Sequence, residues 1–252
     1  MTRIAMWSGP RNISTALMRS FENRPDTFVT DEPFYAHYLY KTGIDHPLRE
    51  EVITGGNTEW NSIANEITGL IPRGKDIWYQ KHMAQHNLPG CDMKWVEKLT
   101  NCILIRHPRE VMLSYSKKYE ITSISQLGYP QQIDIFTLLA DMGTPPLIID
   151  AGDVLKNPHR SLKLLCRKLD IPFSTEMLSW PVGRRESDGI WGRHWYGSVE
   201  ASTGFHPHAQ KKGDLPAKYH DIYTECMESY QQLYSDRIPL LAGKIASRSQ
   251  ER

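Results

Sequence analysis

The sequence predicts an α/β fold: three layers, with a mostly parallel central sheet between helices, P-loop-like at its start. Three observations predict it. Strand-length apolar runs alternate with helix-period segments over the first 170 residues, the runs end in polar or charged residues, and the chain opens on strand, anion-binding turn and helix. At 252 residues with 40% hydrophobic content and seven Trp, the core suffices for one domain, assigned to 1–252.

The first run, Arg3-Ile4-Ala5-Met6-Trp7, reads as a strand broken by Gly9-Pro10. Leu17, Met18 and Phe21 recur at helical spacing behind Ser14-Thr15, which are expected to cap that helix. Arg11 and two hydroxyls at a helix N-terminus suit an anion, because the first-turn N–H groups are unpaired and the dipole is positive there. Thr27-Phe28-Val29-Thr30 is a second strand that delivers Asp31 and Glu32 at its C-terminal end. Phe34 to Tyr40 is an aromatic helical segment, residues 41–57 read as a loop, and Trp60 to Leu70 has helical period.

Asp76 to Gln80 is a third strand ending in Lys81-His82-Met83. Asn101 to Ile105 is short, apolar and uninterrupted, as a buried parallel strand requires, and ends in Arg106-His107-Pro108 before a helix from Arg109 to Lys118. Pro130 to Met142 is helical, Pro146 to Asp150 is a last strand, and Asn157-Pro158 opens a helix to Leu169. Residues 181–214 are irregular but rich in aromatics, which marks a functional covering segment rather than disorder. A helix over Tyr219 to Tyr234 closes the domain, and 243–252 is a polar tail expected to fray.

Thirty basic residues against twenty-nine acidic give a net charge of +1, so any anion site is local and neither nucleic acid nor an anionic membrane is an expected partner. The four cysteines form no C-x-x-C pair or zinc spacing, which fits reduced thiols and a cytoplasmic protein. The first turn does not fit G-x-x-x-x-G-K-[ST], so the hydroxyl-to-magnesium arrangement of a nucleoside triphosphate kinase is not specified.

Two separated segments together carry a resemblance. Pro10-Arg11-Asn12-Ile13-Ser14-Thr15, followed by Ala16, and Arg106-His107-Pro108 with Ser114 eight positions after the arginine, are similar to the sulfotransferases that use 3′-phosphoadenosine 5′-phosphosulfate (PAPS), and look nearest to compact bacterial small-molecule members. The resemblance implies that Arg11 to Ala16 cradle the 5′-phosphosulfate and that Arg106 and Ser114 hold the 3′-phosphate. Gln80-Lys81-His82 resembles the segment from which a basic group assists transfer. Thr203 and Phe205, with Lys211, Lys212 and Gly213, resemble the late elements that touch adenine and the 3′-phosphate. Ile13 stands where the family usually has Gly, and Ala16 where an adenine-stacking aromatic usually sits, so Phe205 is expected to substitute.

The implied reaction is metal-independent in-line transfer of a sulfuryl group to a hydroxyl or amine of a small-molecule acceptor. Arg11 and Lys81 stabilise the leaving phosphate, and Glu32, then His82, then His86 are the candidate bases. The rivals are a metal-dependent small-molecule kinase of related fold and a non-catalytic nucleotide-binding protein. Oligomeric state and acceptor identity stay open.

Overall fold

The computed structural model describes residues 1–207 and 213–239. Its five strands, β1 (Thr2–Ser8), β2 (Thr27–Asp31), β3 (Ile77–Met83), β4 (Thr100–Ile105) and β5 (Leu147–Asp150), form one all-parallel sheet in the order β2-β3-β1-β4-β5. Every run read as a strand is one, to within one to three residues at its ends. The register sets Met6 beside Lys81 and Trp7 beside His82. Because successive side chains alternate faces, these pairs assign Lys81 and His82 to opposite sides of the sheet.

One face carries Ala5, Trp7, Ile103, Ile105 and Ile148, covered by α4 (Trp60–Ile67), α5 (Pro108–Tyr115), α6 (Tyr129–Asp141) and α11 (His220–Ser235). The other carries Ile4, Met6, Tyr79, Cys102 and Leu104, covered by α1 (Ser14–Glu22), α7 (Ala151–Lys156) and α8 (Pro158–Lys168). Trp7 is fully buried and donates its indole N–H to Asn101 Oδ1 at 2.9 Å, so its polar handle is satisfied within the core.

α2 (Tyr35–Thr42) follows β2, and α3 (Arg49–Gly55) lies inside the stretch expected to be a loop. α3 begins after Leu48, which is left-handed and offers no capping side chain, so the usual sequence sign of a helix start is missing. Residues 181–207 are irregular as expected, apart from the single turns α9 (Gly192–Trp195) and α10 (Gly197–Glu200). The assigned tail 243–252 falls outside the described residues.

Ser14 and Thr15 do not cap α1 but are its first helical residues. Ile13 is the residue before the helix and makes no side-chain cap; its φ is +60°. A left-handed conformation costs an L-residue roughly 1–2 kcal/mol and is a marked outlier for a β-branched one. A Gly there would supply this backbone freely, and Ile13 adopts it while packing against the α1 face of the sheet. Relief of strain should nearly cancel the lost packing in Ile13→Gly. Chemical denaturation is expected to show a loss under about 1 kcal/mol, against the several that a large-to-small change in a core costs. A loss above roughly 2 kcal/mol would mean that packing dominates.

Candidate active site

β1 hands the chain leftward to β2 and β4 hands it rightward to β5, so the sheet's topological switch lies between the C-terminal ends of β1 and β4. Open α/β sheets hold ligands at that crevice. The turn after β1 and Arg106 after β4 meet there, with Arg106 Nη1 donating to the Arg11 carbonyl at 2.8 Å. Arg11 Nε donates to Ser114 Oγ at 3.0 Å, drawing α5 to the same point. Asn12 Nδ2 anchors the turn to the Leu104 carbonyl at 3.1 Å.

Arg106 also lies 3.7 Å from the carboxylate of Glu110. No carboxylate pairs with Arg11 among the described residues, and burial lowers its pKa. Burial likewise lowers that of Arg106, and the nearby Arg11 charge adds to the effect. The first-turn N–H groups of α1 have no intrahelical partner and no side-chain cap. Two cations and a helix N-terminus therefore line one end of a cavity of about 470 Å³, without a carboxylate on Arg11 to neutralise it.

The other end of that cavity is built on β2 and β3. Lys81 Nζ donates to Asp31 Oδ1 at 2.9 Å, to the Tyr196 hydroxyl at 2.6 Å and to Glu32 Oε1. Tyr196 donates to the Asp31 carboxylate at 2.8 Å, and the Trp191 indole N–H reaches the Tyr196 hydroxyl at 3.1 Å. Lys81, Asp31, Glu32 and Tyr196 are all buried. Burial raises the pKa of Glu32, opposed by Lys81 and reinforced by the like charge of Asp31. Burial alone would lower that of Lys81, but the two carboxylates outweigh it and the net shift is upward. The product is a cationic lysine beside a carboxyl that ionises closer to neutrality than usual, the property a general base needs.

Arg11, Asn12, Ile13, Ser14, Thr15, Ala16, Glu32, Lys81, Arg106, Ser114 and Phe205 all line this one cavity. Thr203 is exposed and does not, although Ser202 and Gly204 on either side of it do. Gly213 is also off the lining; its carbonyl accepts a hydrogen bond from Arg109. Lys211 and Lys212 fall outside the described residues.

His82 is the principal correction. Its ring lies 4.3 Å from Trp7 and 5.8 Å from Trp95, on the sheet face opposite Lys81, and does not line the cavity. Burial pushes its pKa down to about 3. In His82→Phe the stacked ring is kept and the imidazole removed. Activity is expected to stay within about threefold while Tm falls, because Gln80 loses the partner it now has at 3.1 Å. A hundredfold loss of kcat in that variant would reinstate the histidine.

His86, by contrast, does line the cavity, stacked on Tyr35 at 4.8 Å between ring centroids. Its Nδ1 has no hydrogen-bond partner among the described residues, and burial, with the Lys81 charge, drives its pKa well below the usual value. Sequence reasoning missed Tyr196, which sits 115 positions from Lys81 in the irregular stretch. Only the density of aromatics there pointed to it.

Residues 2–236 match the family profile described as a sulfotransferase domain. Two Arabidopsis thaliana proteins, branched-chain-amino-acid aminotransferase-like proteins 2 and 1, are 34% and 36% identical over 233 residues, 92% of this chain. The chain spans 41% of the length of each, so the likeness concerns one part of those proteins. Among solved structures, a sulfotransferase from Alicyclobacillus acidocaldarius superposes with a TM-score of 0.57 at 11% identity, covering 94% of this chain and 97% of that one. The sulfotransferase domain of the Synechococcus PCC 7002 olefin synthase gives 0.55 at 15% identity, covering 95% and 96%. At such identities the superpositions speak for the fold.

Proposed function

The chain belongs to the sulfotransferase-domain family, and from that premise we propose that it transfers the sulfuryl group of PAPS to a hydroxyl or amine of a small-molecule acceptor without a metal ion. The observation that carries this reading is the pairing of two anion-binding elements, the Arg11 turn and Arg106, across the switch point, with a buried carboxylate and lysine at the other end of one cavity. The residues fit the donor. Arg11 and the α1 N–H groups suit a phosphosulfate, and Arg106 with Ser114 suits a second phosphate.

Bound PAPS supplies a sulfuryl group whose S–O bond to the 5′-phosphate breaks as a new S–O bond to an acceptor hydroxyl, or S–N bond to an acceptor amine, forms, leaving adenosine 3′,5′-bisphosphate (PAP). Glu32 takes the acceptor's proton onto its carboxylate. Lys81 holds that carboxylate in place and lends positive charge to the site, while Asp31 and Tyr196 fix the ammonium. Arg11 and the helix N-terminus stabilise negative charge on the departing phosphate oxygen. Phe205 and Leu155 line the same cavity and offer apolar contact to the base of the nucleotide.

The test is calorimetric titration with PAP, beside ATP with and without magnesium. Metal-independent PAP binding is expected to outcompete ATP. Arg106→Ala should weaken PAP roughly 10- to 100-fold, as loss of a charged hydrogen bond does, and adenosine 5′-phosphosulfate far less. Equal losses would sink the 3′-phosphate assignment. ATP binding that requires magnesium, with no PAP binding, would make the protein a kinase, and PAP binding without turnover on any acceptor a nucleotide sensor.

A further inference from the structure

A second cavity, of about 550 Å³, lies between α2, the loop after β3 and α6, and Gln85 lines both cavities. Beside Gln85, His86, which faces the first, stacks on Tyr38, which faces the second, with ring centroids 4.7 Å apart. A volume of this size falls in the roughly 300–1,000 Å³ range of small-molecule sites.

The hydrogen-bonding state of its wall is unusual. Gln85 Oε1, Gln131 Oε1 and both amide atoms of Asn87 are buried and have no partner among the described residues. Buried polar groups are rarely left so, because an unmade hydrogen bond costs about 1–3 kcal/mol. The deficit is three acceptor oxygens against one amide nitrogen, which carries two N–H groups. No Lys or Arg lines this cavity among the described residues, and Asp134, its one carboxylate, is exposed.

The missing partner is therefore neutral and donates more hydrogen bonds than it accepts. A secondary amide offers a single donor, whereas each hydroxyl donates one bond and accepts others. Asn87, with oxygen and nitrogen unpaired on one amide, suits two adjacent hydroxyls, one donating and one accepting. Leu88, Ile135 and Leu138 supply apolar surface for the C–H groups between them.

We infer that this second cavity is a subsite for a sugar-like polyol segment of the acceptor, joined to the transfer site past Gln85. Calling the occupant part of the acceptor rests on the sulfotransfer reading; the subsite itself does not. The test titrates the PAP-loaded protein with methyl α-D-glucoside, methyl β-D-galactoside and methyl α-D-mannoside, and with N-methylacetamide and ethanolamine for comparison, each to about 50 mM. The variants are Asn87→Leu and Gln131→Leu, on separate elements, each checked for its thermal midpoint.

At least one glycoside is expected to saturate, to bind roughly tenfold more weakly in each folded variant, and to leave PAP affinity within about twofold. The inference is overturned if no glycoside saturates and the leucine variants are merely more stable, which is the signature of bound water. It is equally overturned if the amide or the amine saturates instead, or if glycoside binding ignores both substitutions. Failure of PAP to bind the wild-type protein would remove the sulfotransfer reading, and the same glycoside titration without PAP would then judge the subsite alone.

Discussion

Glu32→Gln is expected to lower kcat by about 10²- to 10⁴-fold, the usual contribution of a positioned general base, with little change in PAP affinity. The side chain keeps its shape and its reach to Lys81, but it no longer accepts a proton. A base works deprotonated, so wild-type kcat/KM should rise with pH through the Glu32 ionisation, displaced above the ordinary carboxyl value of 4.5. That limb should vanish in the variant. Stability should move the other way. A carboxyl whose pKa is raised by folding contributes stability that is present at low pH and lost as pH rises through the folded value. Gln does not ionise, so the Tm of Glu32→Gln relative to wild type should climb over the same window. Full activity in the variant would remove Glu32 from the mechanism.

The second large effect is on stability. Arg19 of α1 is buried, 1% exposed, and meets the buried carboxylate of Asp188 at 2.6 Å. Asp188 also accepts from the Arg185 backbone N–H at 2.8 Å, and the adjacent Gly189 N–H reaches Asp31 at 3.2 Å. This pair latches the segment bearing Tyr196 onto the helix that presents the anion turn. Asp188→Ala leaves the buried guanidinium with Glu22, at 3.2 Å, as its one remaining carboxylate among the described residues and should cost about 3 kcal/mol, the low end for breaking a buried pair, a drop in Tm of roughly 6–12 °C for a domain this size. Arg19→Met combined with Asp188→Leu should recover most of it, because an apolar pair strands no charge. A fall under about 2 °C in Asp188→Ala would show that solvent reaches the arginine.

The strands were legible because each is a short apolar run closed by a polar residue, and their C-terminal edge was legible from what closes them: Asp31, Lys81 and Arg106. Local pattern did not reveal which of two adjacent polar residues faces the ligand. Lys81 and His82 differ only by the alternation of faces, and that phase is set by pairing with Met6 and Trp7 in a strand some 75 positions away. The His82 ring belongs with Trp7, Phe34 and Trp95, a grouping that exists only after the sheet has formed. Tyr196 was hidden for the same reason, since its partners Asp31 and Lys81 lie on two strands far from it in the chain. Helix α7 is six residues long, too short for periodicity to register, and its sign was the capping side chain of Asp150, read instead as the end of a strand.

Arg11 and Arg106 stand side by side, and burial, together with the charge of Arg11, lowers the pKa of Arg106. Any small oxyanion that settles between them binds the native state and not the unfolded chain, so it adds RT ln(1 + [L]/Kd) to stability. The protein's melting point is thus a property of its buffer as much as of its sequence. In phosphate or sulfate it should melt higher than in chloride at equal ionic strength, and the donor's affinity measured there should come out correspondingly weaker, because the crevice is already partly sold.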